Sequence, residues 1–103
     1  MTTNINRVEL CGTVGSIKTD RIGDRNIVNF SLMTQRVYSS NGALTIENTW
    51  HHCVFAPKDK AELSRFKKGE MLHLIGFLRS ERFTDTDGKE RCVPRVVVQE
   101  FVD

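Results

Sequence analysis

The side chains best suited to chemistry in this sequence are the neighbouring His51, His52 and Cys53, whose ring nitrogens and sulfur are typical zinc ligands. A structural zinc site takes four such ligands in two closely spaced pairs. His73 and the remaining cysteines do not supply the second pair. We therefore interpret the histidines as ordinary strand residues and expect neither a metal site nor a cofactor.

Signatures of common catalytic sites are missing. The sequence contains no Gly-x-Ser-x-Gly, no glycine-rich phosphate loop followed by Lys, and no His-Glu-x-x-His. Each of these patterns places a nucleophile, a phosphate or a metal ion where the reaction needs it. Without them the sequence does not indicate catalysis, and we expect a protein that is not an enzyme.

Length and composition describe an ordinary globular chain. At 103 residues it is long enough for one small core, so we expect a single domain over residues 1–103. With 39% hydrophobic residues it is too apolar to remain disordered. No apolar run approaches the roughly 18 residues that span a bilayer, and the N-terminus has no signal-peptide pattern. These features predict a cytoplasmic protein without membrane contact.

The cysteines and the charges are both inconspicuous. Cys11, Cys53 and Cys92 are odd in number and widely spaced in apolar stretches, which favours buried thiols over a disulfide framework. The net charge is only +2. Because many nucleic-acid-binding domains are far more basic, charge alone indicates no polyanionic partner, and any electrostatic groove must come from local arrangement.

Alternating apolar residues predict three strands in the first half of the chain. Val8 to Val14 alternate with a period of two, and Gly12 inside this run indicates a bulge or a bend. A longer run covers residues 27–38. The turn-forming residues 39–42, which end in Asn-Gly, predict a hairpin onto a third strand over residues 44–55.

The second half predicts one helix and two more strands. Pro57 is a residue type that can open a helix, Ala61, Leu63 and Phe66 recur at helical spacing, and Gly69 ends the pattern. Strand character returns over residues 71–84, and the turn at residues 85–88 leads to a last strand over residues 91–98. The order predicts an all-β protein, a five-stranded OB-fold barrel with one short helix between strands 3 and 4, a fold that commonly binds oligonucleotides.

Local motifs along nearly the whole chain resemble the bacterial single-stranded DNA-binding proteins, which share this fold. The resemblance begins with the first strand and continues through a Thr-Trp-His segment, which lacks the glutamate usual in the family. The segments that carry it are residues 6–15, 29–34, 49–51, 67–69, 76–79, 83–88 and 96–98.

The resemblance implies a binding site. Family members stack bases on aromatic side chains, and the positions that correspond are Tyr38, Trp50 and Phe83. A fourth aromatic usual in the family is replaced by Ala56, which predicts a shorter contact. Cations near the aromatics are then candidate phosphate ligands. They are Arg36, close to Tyr38, and Arg79, Arg82, Lys89 and Arg91, in a solvated hairpin around Phe83.

The resemblance also implies partners. The expected ligand is single-stranded DNA, bound without sequence preference in replication, recombination or repair, by a homotetramer or a dimer. His51 is expected near a subunit contact, to which Ile75, Phe77 and Val97, otherwise interpreted as core residues, can add apolar surface.

Family members commonly carry an acidic, partner-recruiting tail, whereas this sequence stops at Asp103, so tail-mediated recruitment of replication proteins is not expected. The alternative is a primosomal replication-restart accessory protein of the same fold.

Overall fold

The computed structural model describes residues 3–102. Within that range the chain forms five strands and one short helix: β1 (Val8–Ile22), β2 (Arg25–Ser40), β3 (Ala43–Phe55), α1 (Lys60–Leu63), β4 (Met71–Thr84) and β5 (Glu90–Phe101). The strands close into a barrel in the order β1-β2-β3-β5-β4. The predicted five-stranded OB-fold barrel, with its helix between strands 3 and 4, is confirmed. No helix in the described part of the chain has the length and apolar character needed to cross a membrane.

β1 is longer than its apolar alternation predicts. It pairs with β4 as far as Thr13 and with β2 from Thr13 onwards, so one strand serves both sides of the barrel. Gly12 lies beside this change of partner, where a Cβ atom would overlap the backbone oxygen of Met33. The irregularity in register comes later, between Val14 and Ile17, and it hides the strand character of the residues that follow.

The hairpin between β2 and β3 extends beyond the barrel. Asn41 and Gly42 have φ angles of 52° and 82°, as the two central residues of a type I′ turn require. β2 pairs with β1 only as far as Met33, whereas its pairing with β3 continues to Ser40. Residues 34–49 therefore form a two-stranded projection, which we call the β2–β3 ribbon.

The barrel interior is filled by aliphatic and aromatic side chains. Phe66 lies among three other rings, with its centroid 4.9 Å from Phe30, 5.8 Å from Phe55 and 5.7 Å from Phe101. The buried core consists of Val14, Val28, Phe30, Leu32, Cys53, Phe55, Phe66, Leu72, Leu74, Val96 and Val98.

The helix is shorter than predicted and begins later. Asp59, not Pro57, starts it, because the Asp59 carboxylate accepts a hydrogen bond from the Glu62 N–H at 2.9 Å. The Glu62 carboxylate in turn accepts from the Lys58 N–H at 2.8 Å. Phe66 follows the helix rather than lying on it. The apolar spacing taken as helical reflects a short connection whose residues reach the core.

The expectation of three buried thiols is wrong for two of them. All three cysteines are free, but only Cys53 lies inside the barrel, where burial raises the pKa of its thiol to about 12. Cys11 and Cys92 are exposed. Their apolar neighbours in sequence occupy alternate positions of a strand, which point to the opposite face.

Candidate functional site

Trp50 lies on the outer face of the barrel, with 53% of its surface exposed. In the antiparallel ladder it stands opposite Met33, and both point outwards, because Leu32, next to Met33, and Cys53, three positions from Trp50, point into the core. Its six-membered ring lies against Gly15 of β1. A Cβ atom at Gly15 would come within 2.9 Å of the indole Cη2 and closer still to Cζ3, so a larger residue there would displace the ring.

The indole forms one wall of a shallow groove of about 450 Å³. Ser16 and Ser31 line it beside the ring, and His52 and Lys68 complete it. Lys68 is exposed and makes no salt bridge with any residue in the 3–102 range. A flat apolar surface and an available ammonium group therefore occur together in this groove.

The groove continues as a trough across the outer face of β1, β2 and β3. Ser16, Ser31 and His52 also line a second, smaller depression of about 130 Å³, together with Lys18, Asn29 and Arg95. The last three also line a third depression, of about 470 Å³, which reaches Arg79 and Glu81 at the base of the β4–β5 hairpin. The trough thus runs from Trp50 towards the hairpin that carries Phe83.

The cations at the far end of the trough are partly neutralised. Glu81 accepts a hydrogen bond from Arg79 at 3.3 Å and forms an ion pair with Arg95 at 2.5 Å, and Lys18 lies 3.9 Å from Asp20. Because an exposed ion pair is worth little in water, such cations can exchange a carboxylate for a phosphate. The positive potential at this end therefore depends on how firmly the carboxylates hold their partners.

The β4–β5 hairpin presents Phe83 and four of the predicted cations at the surface. Phe83 is 45% exposed and stands opposite Arg91 in the ladder. Arg82 lies 3.8 Å from Glu90, whereas Lys89 has no salt bridge to any other residue among 3–102. Of the cations predicted here, only Lys89 has a side chain without a carboxylate partner in the described residues.

Asp85 orders the tip of this hairpin. Its carboxylate accepts from the Arg91 guanidinium at 2.5 Å and from the backbone N–H groups of Asp87 and Lys89 at 3.0 Å each. The hydrogen bond from Arg91 and then that from Lys89 hold the pKa of Asp85 below its usual value. The tip is therefore a hydrogen-bonded turn in which the Arg91 guanidinium is paired with the Asp85 carboxylate.

Tyr38 and Arg36 lie on the other face of the β2–β3 ribbon. The β2–β3 register runs without a shift from Val28 to Ser40, so Tyr38 shares the face of Leu32, opposite to that of Trp50. Tyr38 is half-buried rather than in the core, because it lies beyond Met33, where β2 leaves the closed barrel and no longer pairs with β1. The Arg36 guanidinium lies 5.0 Å from the centroid of the Tyr38 ring, where it makes a cation–π contact.

His51 lies at one end of the barrel, on the face of β3 that also carries Cys53. Its Nε2 is 2.9 Å from the Thr34 hydroxyl, and burial lowers the pKa of the imidazole. Across residues 3–102, no three side chains of His, Cys, Asp or Glu are grouped closely enough to hold a metal ion.

The interpretation of Ile75, Phe77 and Val97 as core residues is wrong. All three are half-buried and none belongs to the buried core cluster. Phe77 stands opposite Val97 in the β4–β5 ladder, on the outer face. Together they form an apolar surface outside the barrel, because the inner positions of β4 are taken by Leu72, Leu74 and Gly76.

Several residues of the trough were not predicted from the sequence. Gly15, Asn29, Ser31 and Lys68 lie in segments that carry the family resemblance but were not predicted as site residues, and Arg95 lies in no such segment. A signal was present in β2, where Asn29 and Ser31 are polar at alternate positions between apolar ones and therefore face outwards. The pairing of β1 alongside β2, which brings Ser16 and Lys18 next to these residues and extends the trough, has no counterpart in the local pattern.

Comparison with known proteins agrees with this geometry. A curated relative named single-stranded DNA-binding protein, from Xylella fastidiosa, is 33% identical over 98% of this chain and 64% of its own length. A relative of the same name from Rickettsia felis is 31% identical over 98% of this chain and 70% of its own length. The chain thus spans about two thirds of the length of these relatives.

The fold has a solved counterpart in the complex of Plasmodium falciparum SSB with ssDNA. That structure covers all of this chain with a TM-score of 0.82 at 19% sequence identity, which shows that the fold is shared. The sequence pattern of the single-strand binding protein family matches residues 5–102, from before β1 to the end of β5. The chain belongs to the single-strand binding protein family.

Proposed function

We propose that this chain binds single-stranded DNA without sequence preference. The observation that carries the proposal is the groove at Trp50, which a half-exposed indole and the exposed Lys68 both line. An unpaired strand offers base faces and phosphates whatever its sequence. The groove presents one group suited to each, and the trough provides a path away from it.

The surroundings of the groove favour a single strand over a duplex. Stacking on Trp50 requires a base whose face is free, and paired bases are already stacked on both sides. The trough is lined by the short side chains of Ser16, Ser31 and Asn29, which leave room for a chain of nucleotides. Relatives named single-stranded DNA-binding proteins, together with the ssDNA complex of Plasmodium falciparum SSB, support the same ligand.

A fluorescence anisotropy titration tests the proposal. Labelled oligo-dT, a mixed-sequence single strand and the duplex of that sequence are titrated at several salt concentrations. The two single strands should bind with similar affinity, and more salt should weaken both, because lysine and arginine displace counterions from phosphates. Equal binding of duplex and single strand, or no binding of any of the three, would sink the proposed function.

The assembly and setting are part of the same proposal. The family resemblance and the outer apolar surface at Phe77 and Val97 support a homo-oligomer, with four subunits preferred over two. Light scattering gives the mass: four subunits fit a general single-strand binder, and two fit the restart accessory protein. We place its role in replication, recombination or repair in the cytoplasm, with the whole 1–103 chain acting as one OB-fold domain.

A further inference from the structure

β1 contains a bulge at Gly15 and Ser16, directly beneath the Trp50 groove. Pairing with β2 passes from Val14 opposite Leu32 to Ile17 opposite Phe30. Three residue steps in β1 therefore match two in β2, so one extra residue is inserted. A bulge of this kind leaves a backbone group without its ladder partner and redirects the side chains around it.

The Ser31 side chain supplies the missing partner. Its hydroxyl oxygen accepts a hydrogen bond from the Ser16 N–H at 2.8 Å and lies 2.9 Å from the Ser16 hydroxyl. Ser31 is only 9% exposed and is the buried polar residue of the described chain. Because this contact gives the Ser16 N–H a partner that the ladder does not supply, it holds the backbone of the bulge in place.

The bulge in turn determines where the indole lies. A Cβ atom at Gly15 would be 2.8 Å from the Ser31 hydroxyl oxygen and 2.9 Å from Cη2 of Trp50. Gly15 is thus enclosed between the serine that fixes the bulge and the ring that lies on it. If the bulge relaxed into a regular strand, the alternation of β1 would shift and Gly15 would no longer lie beneath the ring. The indole would then lose the surface against which it packs.

We infer that Ser31 is a positioning residue for Trp50. Its hydroxyl holds the β1 bulge, the bulge places Gly15 under the indole, and the indole keeps an orientation that leaves its outer part open to a base. The inference rests on the proposed function, since ring orientation matters for binding only when a base stacks on it. The orientation itself is a property of the free protein and is measurable without DNA.

The test uses Ser31→Ala, which removes both hydrogen bonds, and Ser31→Thr, which keeps a hydroxyl. Ser39→Ala is the matched control, an exposed serine eight residues along the same face of β2. In the free protein, Ser31→Ala should shift the emission maximum of the single tryptophan and change its quenching by acrylamide. Ser31→Thr should restore both signals, and the control should leave them unchanged.

Oligo-dT affinity provides the second reading, at a temperature well below the melting point of every variant. Ser31→Ala should weaken binding roughly fivefold, less than the loss of the stacking ring itself would cost. The slope of affinity against salt should stay the same because no phosphate contact is lost. In a Trp50→Ala background the same change should have less than about a twofold effect, because positioning acts only through the ring.

A purely structural role would give a different pattern. Ser31→Ala would then weaken binding equally with and without Trp50, and that result overturns the inference, as does an unchanged emission maximum. If Ser31→Ala does not fold, Gly15→Ala replaces it, since the added methyl group crowds both the ring and the Ser31 hydroxyl and so disturbs the same arrangement. Unaltered indole emission in Gly15→Ala also overturns the inference. If even the wild-type protein fails to bind oligo-dT, the proposed function fails, while the emission measurements still decide whether Ser31 positions the ring.

Discussion

Tyr38 and Trp50 face opposite sides of the sheet that β2 and β3 form. Thirteen residues of continuous pairing, from Val28 to Ser40, show no shift that would bring them to the same side. A single strand that contacts both rings must therefore pass around an edge of the ribbon. The two aromatic positions are parts of a long path, and a short oligonucleotide in the Trp50 groove has no reason to reach Tyr38.

This separation predicts a dependence on oligonucleotide length. For a short oligo-dT of about eight nucleotides, within the range that one OB-fold covers, Trp50→Ala should weaken binding roughly tenfold and Tyr38→Ala hardly at all. With a strand several times longer, Tyr38→Ala should also weaken binding, because the strand can then follow the path around the ribbon. Anisotropy with both lengths measures the four affinities. Equal losses for the two variants on the short strand would show that the rings share one local site.

Lys68 is expected to make the most direct phosphate contact at the groove. Lys68→Gln should weaken oligo-dT binding and reduce the slope of log affinity against log salt by about 0.7, the value for one counterion released from a single strand. Lys60→Gln in α1 removes an exposed lysine that does not line the trough and serves as the control. A slope equal to that of the wild type in Lys68→Gln would remove this lysine from the interface.

Glu81 is expected to oppose DNA binding. Its carboxylate holds Arg79 and Arg95 at the far end of the trough, so Glu81→Gln should free both guanidinium groups for phosphates. We expect tighter binding at low salt and a steeper salt dependence. Glu100→Gln, which removes an exposed carboxylate outside the trough, controls for the change in net charge. Affinity that rises equally in both variants would mean that only overall charge matters.

His51 is expected to make stability depend on pH. Burial lowers the pKa of His51 below its usual 6.5, so the unfolded chain binds the proton more readily than the folded one. The stabilising contribution of neutral His51 is therefore complete above pH 6.5 and is lost as the pH falls towards the lower pKa of the folded state. Melting temperatures measured from pH 7.5 to 5 should fall less steeply in His51→Gln than in the wild type. His52→Gln, at the exposed neighbouring position, should keep the wild-type profile.

The comparison between sequence and structure shows where local patterns suffice. Asn41-Gly42 predicts its hairpin correctly because a type I′ turn depends on the two residues that form it. Tyr38 obeys the strict alternation of β2 and yet is not in the core, because burial also requires that this part of β2 belong to the closed barrel, and its pairing with β1 ends at Met33. Local alternation determines the face on which a side chain lies, whereas the path of a distant strand determines what covers that face.

The candidate site divides in the same way. Trp50 and Phe83, identified by resemblance, are exposed as a binding role requires. The ion pairs of Arg79, Arg82 and Arg91 were not predicted, since each depends on the cross-strand or turn geometry of the β4–β5 hairpin. Gly15 and Ser31 meet only through the bulge, a register shift that interrupts the apolar pattern from which β1 was predicted.

The most direct test of the central claim is the fluorescence of Trp50 itself, the only tryptophan in the chain. Titration with oligo-dT in low salt should quench its emission until the site is saturated, and added salt should restore it. Duplex DNA of equal length should leave the emission nearly unchanged. Emission that stays constant while anisotropy reports a bound single strand would contradict the account, because the strand would then be held without contact to the indole.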